Sequence, residues 1–301
     1  MTQSETALPP AGRLFCFGLG ASAMALIERL KGKGWHFGGT VRKEAKRAAL
    51  AAAGVDAALF DSERAVEAAA ERLAGTTHLL SSVPPDAEGD PVLRHHRHAV
   101  QAMRGLRWVG YLSTTGVYGD RGGGWVDEGS ELRPTGRRGR LRVAAERAWL
   151  ELQETAGVPV HIFRLAGIYG PSRNPLAAVR EGRAQRVGKP GQVFSRIHVE
   201  DIAETLLRSI AAPKPGRIYN VCDDRPAPPE EVIAFAASLL GVPAPPLVTF
   251  EEARLSDMAR SFYADNKRVR NDRIKRELGV TLRYPDYEAG LRALFAELRL
   301  K

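Results

Sequence analysis

Short apolar runs alternate along the first half of the chain with stretches in which apolar residues recur every third or fourth position. The runs at 13–17, 36–40, 56–60, 77–81, 106–112 and 158–165 predict strands, and the periodic stretches at 23–31, 43–53, 62–74, 91–104 and 138–154 predict helices. Strands alternating with helices of this length imply an α/β fold, a doubly wound parallel sheet with helices on both faces. In such sheets ligands sit at the carboxyl ends of the strands, near the point where strand order reverses.

Beyond about residue 166 the pattern is mixed. A loop at 171–175, helices at 176–181, 201–211 and 230–240, and a strand at 217–221 that rejoins the sheet are predicted, with proline-rich breaks at 226–229 and 243–246. This divides the chain into a sheet domain over 12–166 that also takes in about 196–222, a smaller, interleaved C-terminal lobe from 167–195 and 223–301, and a flexible tail over 1–11.

The 301 residues are 44% hydrophobic, which suits a buried core, and no apolar run approaches the ~18 residues a spanning helix needs. The start lacks a basic segment followed by an apolar one, so a soluble, cytoplasmic protein without a membrane partner is expected. A net charge of +9 raises the question of nucleic acid, but the arginines are scattered among acids with no polybasic tail or recognition pattern, so no nucleic-acid partner is expected. Cys16 and Cys222 each lie in an apolar run and read as buried packing. His95 and His98 share a predicted helix face, yet without carboxylates or cysteines nearby they read as a solvated face rather than a metal site.

The first strand runs into Gly18-Leu19-Gly20-Ala21-Ser22-Ala23, which matches G-x-G-x-x-G/A and opens the first helix. Gly18, Gly20, Ser22 and Ala23 there suit a pyrophosphate against the helix N-terminus, in a Rossmann-type fold. The second strand ends in Thr40-Val41-Arg42-Lys43, basic where an acid would hold the ribose of NAD, so NADP is the expected cofactor and NAD the other candidate. The first turn of a solvated helix would also explain Arg42 and Lys43.

The segments Ser113-Thr114-Thr115-Gly116-Val117-Tyr118-Gly119 and Pro134 through Glu146 resemble the active-site region of the extended short-chain dehydrogenase/reductases, the NAD-dependent epimerase/dehydratase family. So do residues 164–171, the His198-Val199-Glu200-Asp201 segment, and 265–268. The resemblance places Asp61 beside the adenine, although it can equally cap a helix, and places Ser81 and Ser82 along the cofactor. It implies a reacting oxygen held by Thr114 and a Tyr-x-x-x-Lys pair whose positions here read Arg138 and Arg142. No tyrosine lies between Tyr118 and Tyr169, and no lysine between Lys46 and Lys189.

Arginine stays charged at working pH and cannot shuttle a proton. Arg142 can still supply a cation beside a ribose, and Arg138 planar donors for an anionic small-molecule substrate; a solvated helix face is the alternative for both. Tyr118, Tyr169, Asp127, Glu128 and His198 are the other candidates for a proton donor, none of them singled out by the sequence. The expected function is an NADP-dependent oxidoreductase or sugar-nucleotide-type enzyme with altered acid/base chemistry; a non-catalytic NADP-binding sensor or interaction protein stays open beside it.

Overall fold

The structure is a computed structural model that describes residues 9–299, so most of the expected tail at 1–11 lies outside the described residues. The first half reads β1 (Arg13–Phe17), α1 (Ala21–Leu30), β2 (His36–Val41), α2 (Glu44–Ala52), β3 (Asp56–Leu59), α3 (Ala69–Leu73), β4 (His78–Ser81), α4 (Pro91–Ala102), β5 (Trp108–Thr114), a 3₁₀ turn (Thr115–Tyr118), β6 (Trp125–Val126), α5 (Arg137–Ala156) and β7 (Val160–Leu165). The second half continues with β8 (Gly167–Tyr169), α6 (Pro175–Arg180), β9 (Arg186–Gly188), β10 (Arg196–His198), α7 (Val199–Ala211) and β11 (Ile218–Val221). It ends with α8 (Pro229–Leu240), β12 (Leu247–Thr249), α9 (Asp257–Phe262), β13 (Arg268–Val269), α10 (Asp272–Leu278) and α11 (Tyr287–Arg299).

Seven strands form one parallel sheet in the order β11-β7-β5-β4-β1-β2-β3, so strand order reverses between β1 and β4. The apolar runs are nearly continuous because both faces are covered. Along β1, Leu14 and Cys16 join one core cluster while Phe15 and Phe17 join the other. A third cluster, with Tyr169, Leu176, Val232 and Leu291, lies under the C-terminal helices.

Asp201, in the His-Val-Glu-Asp segment, ties α7 to the chain before α11 by accepting from the backbone N–H groups of Arg283 at 2.7 Å and Tyr284 at 3.1 Å.

The helix expected over 62–74 is a correction: only Ala69–Leu73 is helical. The alanine-rich composition favours a helix, but tertiary partners on α4 capture the first half of the stretch. Arg94 Nη2 donates to the Ser62 carbonyl at 2.7 Å, and the Val66 amide donates to His96 Nε2 at 3.3 Å. Val66 is buried, and Ser62 and Ala68 adopt positive φ of 79° and 53°. The same contacts correct the solvated reading for His95, half-buried beside the Ser62 carbonyl, whereas His98 is exposed as that reading has it; His96 between them is buried against Phe17.

Burial pushes the imidazoles of His96, His161 and His198 down to about 4. His161 shows the reason in its partners: Nδ1 faces the Val109 carbonyl at 3.2 Å, and Nε2 accepts from the Lys214 amide at 2.8 Å, an arrangement only the neutral ring satisfies. The unfolded chain takes up these protons near pH 6.5, the folded chain only near 4, so stability is full above about pH 6.5 and is lost as the pH falls through that window. Between pH 7 and pH 4.5 a His161→Gln variant should therefore lose less of its thermal midpoint than the parent chain, a comparison in which the opposite contribution of Asp201, its carboxyl pushed up to about 6 by burial, cancels; equal changes would contradict the buried neutral ring.

Candidate functional site

At the switch point between β1 and β4 a cleft of about 220 Å³ opens. Gly20, Ser22, Ser82, Thr114, Arg142 and Ile168 are among its lining residues. Gly18 has φ +91°, the left-handed region that favours glycine, and a Cβ there would meet Ser82 Oγ at 2.5 Å. That close approach lets Ser82 Oγ donate to the Gly18 carbonyl at 2.8 Å. The Gly18 amide in turn donates to Thr40 Oγ1 at 2.9 Å, and the Leu19 amide to the Thr40 carbonyl at 2.8 Å. Buried Thr40 thus shapes the turn from below.

The first turn of α1 has no side-chain cap and no acidic residue, and a Cβ on Gly20 would meet nothing within 4 Å. Uncapped amides at a helix start, with open space in front of them, fit a bound phosphate.

On the outer side, Arg42 and Lys43 are exposed just beyond β2, and neither forms an ion pair among the described residues. The one acid beside them, Glu44, is taken by Arg47 at 2.7 Å. Asp61 is exposed and off the cleft lining; the Glu63 amide donates to it at 3.1 Å and holds its carboxyl below the usual range. Ser81 is fully buried at the end of β4, its hydroxyl without a hydrogen-bond partner among the described residues, and it is not among the cleft-lining residues.

At the inner end, Thr114 closes β5. Its Oγ1 accepts from the Gly116 amide at 3.1 Å, capping the 3₁₀ turn and leaving its own O–H to donate into the cleft. The helix α5 comes close because Gly139 has no side chain: a Cβ there would stand 2.9 Å from the Gly116 carbonyl. Arg142 then reaches the cleft wall, where Nη1 donates to Tyr111 Oη at 2.9 Å and to the Leu112 carbonyl at 2.8 Å. Its Nη2 and Nε remain as donors. Arg138 stands one turn earlier, exposed, with Cζ 5.8 Å from the Phe262 ring centre.

Beneath the cleft runs a buried polar chain that no sequence motif announces. Ser113, Arg164 and Asn220 lie abreast on β5, β7 and β11. Ser113 Oγ donates to Glu146 at 2.5 Å, Arg164 grips Glu146 through Nε and Nη2 at 2.8–3.2 Å, and Arg164 Nη1 donates to Tyr118 Oη at 2.9 Å. Tyr118 donates to Asn220 Oδ1 at 2.7 Å, and the Asn220 amide to Glu128 at 2.8 Å. Ser113, Tyr118, Glu146 and Arg164 each lie in a segment that carries the family resemblance; that they meet is a property of the sheet register.

The remaining candidate proton donors are placed elsewhere. Burial pushes the Tyr118 phenol up to about 12, and the Tyr169 phenol rises further for the same reason. Glu128 is buried against Asn220 and Arg273, Asp127 folds back on Gly129 and Ser130, and His198 caps α7 by accepting from the Glu200 amide at 3.2 Å. None of them is among the cleft-lining residues. Among the described residues no His, Cys, Asp and Glu group forms a metal-binding cluster, and no helix is long and apolar enough to cross a membrane.

A parallel sheet with a glycine turn at its switch point defines an α/β protein of the Rossmann type. The model of the NAD dependent epimerase/dehydratase family matches residues 20–222, and the chain belongs to this family. It is 29% identical over 280 residues to protein YeeZ of Escherichia coli (strain K12), covering 89% of this chain and 95% of that protein. A functionally unknown conserved protein from Silicibacter pomeroyi DSS is 52% identical with a TM-score of 0.87, over 95% of this chain and 99% of that one. A dTDP-glucose 4,6-dehydratase from Bacillus anthracis str. Ames, in complex with NAD, superimposes with a TM-score of 0.74 over 96% of this chain and 97% of that one; at 15% identity it shares the fold.

Removing one partner of the Glu146–Arg164 pair leaves a buried charge. Glu146→Ala should cost about 3–5 kcal/mol in urea unfolding, and Ser113→Ala about 1 kcal/mol. Equal losses for the two variants would show that the pair is not the anchor.

Proposed function

We propose that this chain is an NADP-dependent oxidoreductase acting on a small anionic substrate held between the sheet domain and the smaller C-terminal lobe. The observation that carries the reading is that the uncapped start of α1, Thr114 and Arg142 line one cleft. The first amides of α1 with Gly18, Gly20, Ser22 and Ala23 would hold the pyrophosphate, with Ser82 beside them. Arg42 and Lys43, exposed and without an acidic partner, would take the ribose phosphate that distinguishes NADP. Arg142 would donate to the ribose near the nicotinamide in place of a lysine.

Bound there, the nicotinamide supplies or accepts a hydride at C4. Thr114 donates a hydrogen bond to the substrate oxygen, Arg138 offers its guanidinium to the anionic group, and water delivers the proton because no acid lines the cleft. That a Bacillus anthracis dehydratase of the same fold is in complex with NAD supports a nicotinamide nucleotide as the ligand. A non-catalytic sensor would use the same cofactor residues and no others.

Purified protein should be tested for co-purifying nucleotide and for thermal shifts with NADP and NAD, where ligand at a hundred times its Kd adds about 2.7 kcal/mol. Arg42→Ala with Lys43→Ala should weaken NADP by roughly tenfold or more and leave NAD within about twofold; equal loss for both nucleotides would refute the phosphate role. With NADPH and a panel of aldehydes, quinones and nucleotide-sugars, Thr114→Ala should lower kcat about a hundredfold. Nucleotide binding without turnover on any member of the panel would favour the sensor.

A further inference from the structure

Among the described residues the basic cluster at the start of α5 has no carboxylate partner. Arg137 and Arg138 open the helix and Arg140 follows, the first turn holds no acid, and Gly136 provides no side-chain cap. Cations at the positive end of a helix dipole oppose folding. Arg140 is accounted for, since Nη1 donates to the Thr135 carbonyl at 2.8 Å. Arg138 has no carboxylate within ion-pair distance among the described residues. It lies four residues before Arg142, so both project from one face of α5; Arg142 lines the cleft, and Arg138 stands one turn beyond the lining residues.

Across from it, the short helix α9 presents two large apolar side chains to solvent. Phe262 is 50% exposed and Met258, one turn earlier, 58% exposed. The separation between Arg138 and Phe262 is fixed by contacts of the segment after α9. Asp265 accepts from Thr135 Oγ1 at 2.5 Å and from Lys267 Nζ at 3.0 Å, and its carbonyl accepts from buried Gln192 Nε2 at 2.8 Å. Thr135 and Asp265 each stand three residues from the arginine and the phenylalanine. A guanidinium without a carboxylate partner among the described residues is thus held over an exposed aromatic ring on a stiff frame, one helical turn from the cleft-lining Arg142.

We infer that Arg138 and Phe262 form the substrate-selecting end of the cleft, and that they select a planar conjugated ring bearing an anionic substituent. The inference rests on the proposed reading of the cleft as a cofactor and substrate site. A carboxylate takes the guanidinium edge by paired hydrogen bonds. The ring of the ligand covers the exposed part of Phe262 in an offset stack, with the Met258 thioether at its margin. A saturated polyol would bury hydroxyls against Phe262 and Met258 without partners, which disfavours it.

The test titrates the full chain with benzoate, cyclohexanecarboxylate and benzyl alcohol, followed by saturation-transfer NMR, with NADP and NAD thermal shifts measured on the same protein. Benzoate should bind about fivefold tighter than cyclohexanecarboxylate and about tenfold tighter than benzyl alcohol. Phe262→Leu should abolish the first preference and Arg138→Gln the second, each leaving the nucleotide shift unchanged. Equal affinity for the three probes, no benzoate binding, or preferences that survive both substitutions would overturn the inference. A chain that shifts with nucleotide but ignores benzoate sinks this inference alone; one that binds benzoate but neither nucleotide sinks the cofactor reading.

Discussion

The site depends on one buried ion pair. Glu146 and Arg164 are each only 3% exposed at the side chain, and charges so placed have lost most of their hydration. The loss is offset only where every lone pair and proton finds a partner. Here Glu146 takes two guanidinium nitrogens and the Ser113 hydroxyl, while the remaining arm of Arg164 goes to Tyr118. The pair therefore fixes α5 in rotation and height against β5 and β7. Arg142 lies one turn before Glu146 on that helix, and Thr114 directly follows Ser113 on that strand, so both cleft residues inherit their positions from the pair.

A second constraint comes from backbone proximity. The turn after β1 must pass close beneath Ser82, and α5 must pass close above the 3₁₀ turn; Gly18 and Gly139 stand at those crossings, where a Cβ would fall at 2.5 Å and 2.9 Å from its neighbour. One crossing opens space in front of α1, and the other brings an arginine to the far wall of that space. Binding geometry on one side and chemistry on the other are set by two absent methyl groups.

The sheet was legible because its code is local. Strands buried on both faces read as unbroken apolar runs, and the glycine turn follows the first of them; that the sheet is parallel follows from the alternation of strand and helix, whereas the order that reverses between β1 and β4 is set in space. What was not legible is tertiary capture. The stretch 62–74 has the composition of a helix, and it loses more than half of it because Arg94 and His96 offer its backbone better partners than its own turns do. The Ser113–Glu146–Arg164 chain was hidden for a related reason: each residue stood in a recognisable segment, but which side chains meet is set by the register Ser113↔Arg164 and Asn220↔Arg164, which no spacing along the chain encodes. Phe262 had no signal at all, being distant in sequence from the arginine it faces.

The charge pattern of the cleft bears on what chemistry the proposed site can support. A tyrosine beside a lysine delivers a proton and takes it back, whereas two arginines can do neither. They can stabilise negative charge without moving a proton, through donors held ready before the charge develops. Hydride addition to a carbonyl places that charge on the oxygen, next to the Thr114 hydroxyl. Thr114 would donate to that position, Arg142 beside the ribose and Arg138 at the anionic group would add positive charge near it, and water would protonate the oxyanion afterwards. In the reverse direction water or hydroxide takes the proton of the alcohol through the same transition state, so the exchange slows oxidation and reduction alike. On the proposed reading, the two arginines turn an acid/base site into one that holds an anionic carbonyl compound and leaves the proton to water in both directions.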